Sequence, residues 1–298
     1  RGSEVTKDAL QESTSKGFGV FGNYSEGTKT VYGDNLFKNQ PVTYSSTESK
    51  WTYSPHKYWS TKGHIDFLAY APYDAGTVKN TYCIDFLVPS TIAEQKDLLW
   101  AHADNQTKTN NPVKFTFNHA LAKIGYKVKL KEAYSNATIT VKKITLAGSA
   151  DEKTNAFYTA GTIDLSKTSS TDLWATSSTD AKQNFKWFSS NQQLGTTDYT
   201  NPATDYLFVI PQDFSKSTVE GGTKADELYV IVDYTIKYNN GETAEMKSTV
   251  SSQIKKNFEQ GNAYTINLTI GLTPIDFDVK VVNGWTENGD SNYPITWN

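Results

Sequence analysis

The sequence predicts an all-β protein built from β-sandwiches in two domains. Three observations carry this reading. Apolar and polar residues alternate at period two in several long segments, helical signals are few and short, and one Ser/Thr-rich stretch divides the 298 residues into two pieces of domain size. The composition agrees. Aromatics make up 13% of the chain, with 18 Tyr, 14 Phe and 7 Trp against a single Met, which suits pleated, half-buried surfaces better than helices.

Along the chain, the first sustained alternation sets Tyr126, Val128 and Leu130 against Lys127, Lys129 and Lys131. In the next segment, Thr138 to Leu146, Ile139 and Val141 fall out of phase with Ile144 and Leu146. A β-bulge near Lys142 and Lys143 restores one common face. Leu228, Val230, Val232, Tyr234, Ile236 and Tyr238 share a face of a longer strand that runs into Asn239-Asn240-Gly241. Asn-Gly accepts the positive φ angles of a type I′ turn, so a hairpin to a polar strand from Glu242 to Val250 is expected. Tyr264, Ile266, Leu268, Ile270 and Leu272 then alternate strictly with polar or small residues. Beyond Pro274, placed at a junction where a missing N–H is tolerated, Ile275, Phe277, Val279 and Val281 repeat the pattern.

Two stretches read as short helices. Thr91 to Trp100 begins with Ser90 or Thr91 as N-cap and carries Glu94 at capping-box spacing. Asn118 to Lys123 supplies the other. Neither is long enough to be a crossover helix on a parallel sheet. The aperiodic run from Ser166 to Asp180 reads as the linker, with the boundary near Lys167 and domains of 1–167 and 168–298.

No chemistry-bearing constellation emerges. A net charge of −3 with mixed signs offers no basic field for a phosphate backbone, so nucleic acid is not an expected partner. The only cysteine, Cys83, forms no internal disulfide and reads as a buried inert thiol in a strand. HExxH, CxxC, Gly-x-Ser-x-Gly and phosphate-binding glycine patterns are absent, and His56, His64, His102 and His119 form no i,i+4 pair for zinc. Asp276 and Asp278, about 6.6 Å apart on a strand, suit a solvated face better than a glycosidase pair. No catalytic, cofactor or metal site is expected, and the chain reads as non-enzymatic. Trp51, Tyr53, Tyr58 and Trp59 form the densest aromatic cluster. Packing between strands is one reading of it, and a platform for sugar rings is the other, which makes a stand-alone glycan-binding surface protein the alternative function. No apolar run reaches the roughly 18 residues that span a bilayer. The chain begins at Arg1 without Met, so its natural start is expected to be missing and export remains open.

Five segments in order together resemble the fimbrillin-like family of Bacteroidales, the major and minor fimbrillins with their tip and accessory relatives. Phe18-Gly-Val-Phe-Gly22 resembles the family's first strand after its processing site. Trp51-Thr-Tyr-Ser-Pro-His-Lys-Tyr-Trp59 with Ile65 to Pro72 resembles its tryptophan strand and the strand that follows. Val113 to Ile124 is similar to its strand running into His-Ala-Leu-Ala-Lys, Tyr206 to Gln212 to its Ile-Pro-Gln strand, and Gly261 to Tyr264 to the entry of its late strands. The resemblance implies two transthyretin-like β-sandwich domains in tandem and export as an outer-membrane lipoprotein precursor. It further implies trimming by an arginine-specific protease, assembly with other pilus subunits by strand donation, and adhesion to host or bacterial surface ligands. Arg1 matches the arginine before the processed segment. Tyr293, Ile295 and Trp297 alternate in a candidate donor strand, with an ordinary last strand of the second domain as the competing reading.

Overall fold

The structure is a computed structural model. It describes residues 17–73, 75–109, 111–167, 172–176, 180–187, 191–216 and 225–272, with the backbone alone of 276–283 and 286–287. The regular structure of the described residues is all strand apart from two single 3₁₀ turns, as the alternation predicts. It forms two compact units, each assembled from three segments. The first unit comprises Arg1–Leu87, Lys96–Leu121 and Ala160–Thr179, and the second Val88–Gln95, Ala122–Thr159 and Asp180–Asn298. The expected cut near Lys167 falls inside the last segment of the first unit. The strand Ala160–Asp164 enters that unit by pairing with Cys83–Leu87, from Ala160 opposite Leu87 to Asp164 opposite Cys83.

The first unit opens with β1 (Phe18–Ser25), β2 (Phe37–Ser45), β3 (Lys50–Thr52) and β4 (His64–Ala71). Then come β5 (Thr77–Asn80), β6 (Cys83–Leu87), β7 (Leu99–Gln106) and β8 (Asn118–His119). Its six-stranded antiparallel sheet has the order β3-β2-β1-β4-β7-β8. A four-stranded sheet joins β5 and β6 to Ala160–Asp164 and Trp174–Ala175. Central β4 is buried along its whole length. Its Ile65, Phe67, Ala69 and Ala71 share one face with Phe18 and Val20 of β1 and Phe37 and Val42 of β2, forming the core of that side. On the opposite face the Tyr70 ring stacks on Phe21 and its hydroxyl donates to Asn39 Oδ1 at 2.9 Å. Gly19 permits this: a Cβ there would lie 2.3 Å from Tyr70 Cε1, closer than any real contact.

In the second unit, Ala137–Ala147 pairs antiparallel with Tyr229–Tyr238, and the register shifts between Val141 and Lys143. The bulge therefore sits where the phase change requires it, and Ile139, Val141, Ile144 and Leu146 are all fully buried. Ala122–Leu130 pairs in parallel with Asn262–Ile270, which pairs antiparallel with Asp276–Asn283. The alternating residues Tyr126, Val128, Tyr264, Ile266, Leu268 and Ile270 are buried, whereas Leu272, the last of the expected series, lies beyond the strand and is exposed.

Three local expectations are corrected. The stretch Thr91 to Trp100 is no helix: one 3₁₀ turn, Ile92–Glu94, forms without a side-chain bond from Thr91, and Leu99 already belongs to β7. Leu99 and Trp100 pair with Ala71 and Tyr70 and are buried, and this pairing outweighs the capping signal. Asn118 to Lys123 is likewise strand rather than helix, divided between β8 and Ala122–Leu130. The tight Asn-Gly turn is replaced by a longer loop, because Lys237 pairs with Glu245 and the polar strand starts there. The Asn239 N–H donates to the Asn136 carbonyl at 2.8 Å, which extends the ladder with the neighbouring strand past the point where a tight turn would begin. Gly241 alone in this loop has a positive φ, 86°.

Candidate functional site

The core face of the first unit's large sheet is only partly covered. An apolar groove enclosing about 600 Å³ opens over β1, β2 and β4. Its floor is the row Phe18, Val20, Phe37, Val42, Ile65 and Phe67, which alternation places on one side of the sheet. Phe18 is the hub, with Trp51 edge-on at 5.1 Å, Phe117 at 5.5 Å and Phe115 at 5.8 Å between ring centroids.

One wall is the segment 113–117. Val113, Phe115 and Phe117 pack on the core while Lys114 and Thr116 are exposed, the alternation of a strand. Yet the segment joins no ladder among the described residues; pairing with β7 begins only at Asn118. Its Thr116 carbonyl accepts a long 3.4 Å bond from the Asn118 side chain. The other wall is the stretch from Trp51 to Trp59. Tyr53 packs edge-on to Phe37 at 5.5 Å, and its hydroxyl accepts from the Lys57 N–H at 3.3 Å. The Lys57 ammonium donates to the Leu36 carbonyl and lies 4.6 Å over the Phe37 ring.

All four aromatics singled out in the sequence line this groove. Trp51, Tyr53 and Trp59 are half-buried against the core, and Tyr58 is 88% exposed. Sequence reasoning missed the floor, the 113–117 wall and Lys57 as parts of one site. The alternation Val113-Lys-Phe-Thr-Phe117 was the available signal, but nothing in it indicates a missing ladder partner. Arg1, Tyr293, Ile295 and Trp297 lie outside the described residues, as do Pro274 and the side chains of Asp276 and Asp278.

The histidines His64, His102 and His119 and the carboxylates Asp66, Asp97 and Asp104 of this unit are held by structural bonds. His64 Nε2 lies 3.0 Å from Asp66 Oδ2, and the buried Asp66 also accepts from the N–H groups of Val31 at 2.9 Å and Asn105 at 2.7 Å. The Tyr32 hydroxyl donates to the Asp104 carboxylate at 3.0 Å, and burial together with that carboxylate pushes it well above the usual phenol range. His102 Nε2 bonds the Leu165 carbonyl, and His119 Nδ1 meets Asp97. Cys83 is half-buried rather than fully buried, at the start of β6 between Asn80 and Asp164 of the flanking strands. Burial, then the nearby Asp164, pushes its thiol up, which lowers the thiolate fraction. No cluster of three or more His, Cys, Asp or Glu is arranged to hold a metal among the described residues.

Fold and groove define an all-β protein that carries an apolar trough along one sheet face. The chain matches the fimbrillin-like family model over residues 5–285 and belongs to that family. Its setting is therefore the cell surface. Among solved structures, a fimbrial protein from Bacteroides vulgatus shares the fold with a TM-score of 0.69 at 22% identity, covering 95% of this chain and 97% of that one. A candidate cell adhesion protein from Bacteroides uniformis gives 0.53 at 18% identity, covering 91% and 92%. Another from Bacteroides ovatus gives 0.52 at 17%, covering 91% and 88%. No curated protein matches the chain.

Proposed function

We propose that the chain is a structural or adhesive subunit of a cell-surface pilus, joined to its neighbours when one subunit lays an extended strand into the groove of the next. Family membership supports the pilus role. The observation that carries the strand mechanism is the groove bordered by 113–117, a strand-like segment without a ladder partner among the described residues. Apolar area open to water costs about 25 cal/mol per Å², and unpaired backbone groups beside it are equally in want of partners. A strand entering here supplies both main-chain bonds and alternating side chains. Arg1 is the proposed cleavage point for an arginine-specific protease acting on an exported lipoprotein precursor, and Tyr293, Ile295 and Trp297 the proposed donated face.

The test is cleavage of the full-length precursor by an arginine-specific protease, followed by gel analysis without boiling. Ladders of multiples are expected, and they should vanish in a folded Phe115→Asp variant. A cleaved precursor that stays monomeric at high concentration overturns strand donation.

The exposure of Tyr58 beside half-buried Trp51 and Trp59 favours one second reading, a glycan held along the same groove. Binding on a glycan array that is lost in a folded Trp59→Ala variant is its expected signature. An array without binding removes it.

A further inference from the structure

We propose that the groove selects its strand by charge: the strand it takes carries a carboxylate, and Lys57 is the residue that reads it. This rests on the strand-accepting reading above. Lys57 is half-buried, its ammonium tethered by the Leu36 carbonyl and lying over the Phe37 ring, while its backbone N–H is bonded to the Tyr53 hydroxyl. A carbonyl dipole and a ring face attract a cation without cancelling its charge. No Asp or Glu lines the groove, and no carboxylate pairs with Lys57 among the described residues. The groove's other lysine differs: Lys50 has Glu48 at 2.6 Å. An ammonium carries three donors, and one of Lys57's is used, so capacity remains for an incoming carboxylate at the groove wall. A strand bearing Lys or Arg at that point would meet a like charge on an apolar surface, which rejects it.

A second copy of this chain offers a segment of the required charge. From Val281 to Asn298 the sequence holds Glu287 and Asp290 and no Lys or Arg, next to the alternating Tyr293, Ile295 and Trp297. We therefore take residues 286–298 of a second copy as the occupant, with Thr286 and Glu287 leaving their short pairing with Asn283 and Val282 on donation. Charge complementarity sets the partner, and apolar contact holds it.

The test measures binding of two dye-labelled synthetic peptides to the full chain by fluorescence anisotropy. One has the sequence of residues 286–298, the other the same with Glu287→Gln and Asp290→Asn, both amidated. The acidic peptide is expected to bind about tenfold tighter, the scale of one charge-assisted bond. Lys57→Met, which keeps the stem packed on Phe37, should bring the two within about twofold, and Lys57→Arg should keep the preference. Equal binding by the unaltered chain, or a preference that survives Lys57→Met, overturns charge selection. If that binding is still lost in Phe115→Asp, the strand-accepting reading stands without it. If neither peptide binds, both fall together.

Discussion

Asp66 shows how a single side chain organises what surrounds the groove's sheet. Its carboxylate is buried in the central strand and takes bonds from Val31, Asn105 and His64, so it fixes the β1–β2 connection and the end of β7 at once. Asn105 adopts a positive φ of 52° in the arrangement that aims its N–H at this carboxylate. Removing the acceptor leaves the buried His64 ring and two part-buried N–H groups without this partner, at about 1 kcal/mol each. Asp66→Ala is therefore expected to lower unfolding free energy by about 2–4 kcal/mol in a urea titration, with Asp66→Asn costing less because one carbonyl oxygen remains. A loss below about 0.5 kcal/mol would remove Asp66 from this role. None of this is legible in Ile65-Asp-Phe67, which reads only as a polar residue in an apolar strand. Two of its donors come from residues 31 and 105, and no local pattern joins positions so distant.

Elements were legible where one face meets one core. The alternation at Tyr126 to Leu130 and at Tyr264 to Ile270 reports burial directly, since a strand's period of two leaves no second solution. The bulge was legible for the same reason, because Ile139 and Ile144 cannot share a face without an extra residue. Deleting Lys142 should return the strand to an unbroken period with Ile139, Val141, Ile144 and Leu146 still on one face, since Lys143 then follows Val141 directly opposite Asp233. The expected result is a cooperative thermal melt, followed by circular dichroism, within a few degrees of the unaltered protein; loss of cooperativity would show that the bulge does more than restore the phase. Elements were misread where a local signal competed with distant pairing. The Thr91 cap yielded to the pairing of Leu99 and Trp100 with β4, and the Asn-Gly turn to the Asn239 bond with Asn136. Both errors share a cause: the winning partner lies outside the window from which the signal was read.

At the scale of the whole molecule, the all-β class and the family were legible in the sequence, while the groove was not, because its lining runs from Phe18 to Phe117 through four strands and four connecting loops. Its consequence is measurable in bulk. Separate subunits are expected to bind the dye ANS in the open apolar trough, and assembled ones to bind less of it per chain, as followed by fluorescence; equal binding in both forms would mean assembly leaves the trough uncovered. The parallel pairing of Ala122–Leu130 with Asn262–Ile270 bears on a different matter, the order of events at the ribosome. Lys123 waits for Ala263 to be synthesised before its strand gains that neighbour, and β6 waits in the same way for Ala160–Asp164. Loops this long are slow to close. Neither unit completes its sheets from the residues that emerge first, so the nascent chain stays open until its late strands arrive.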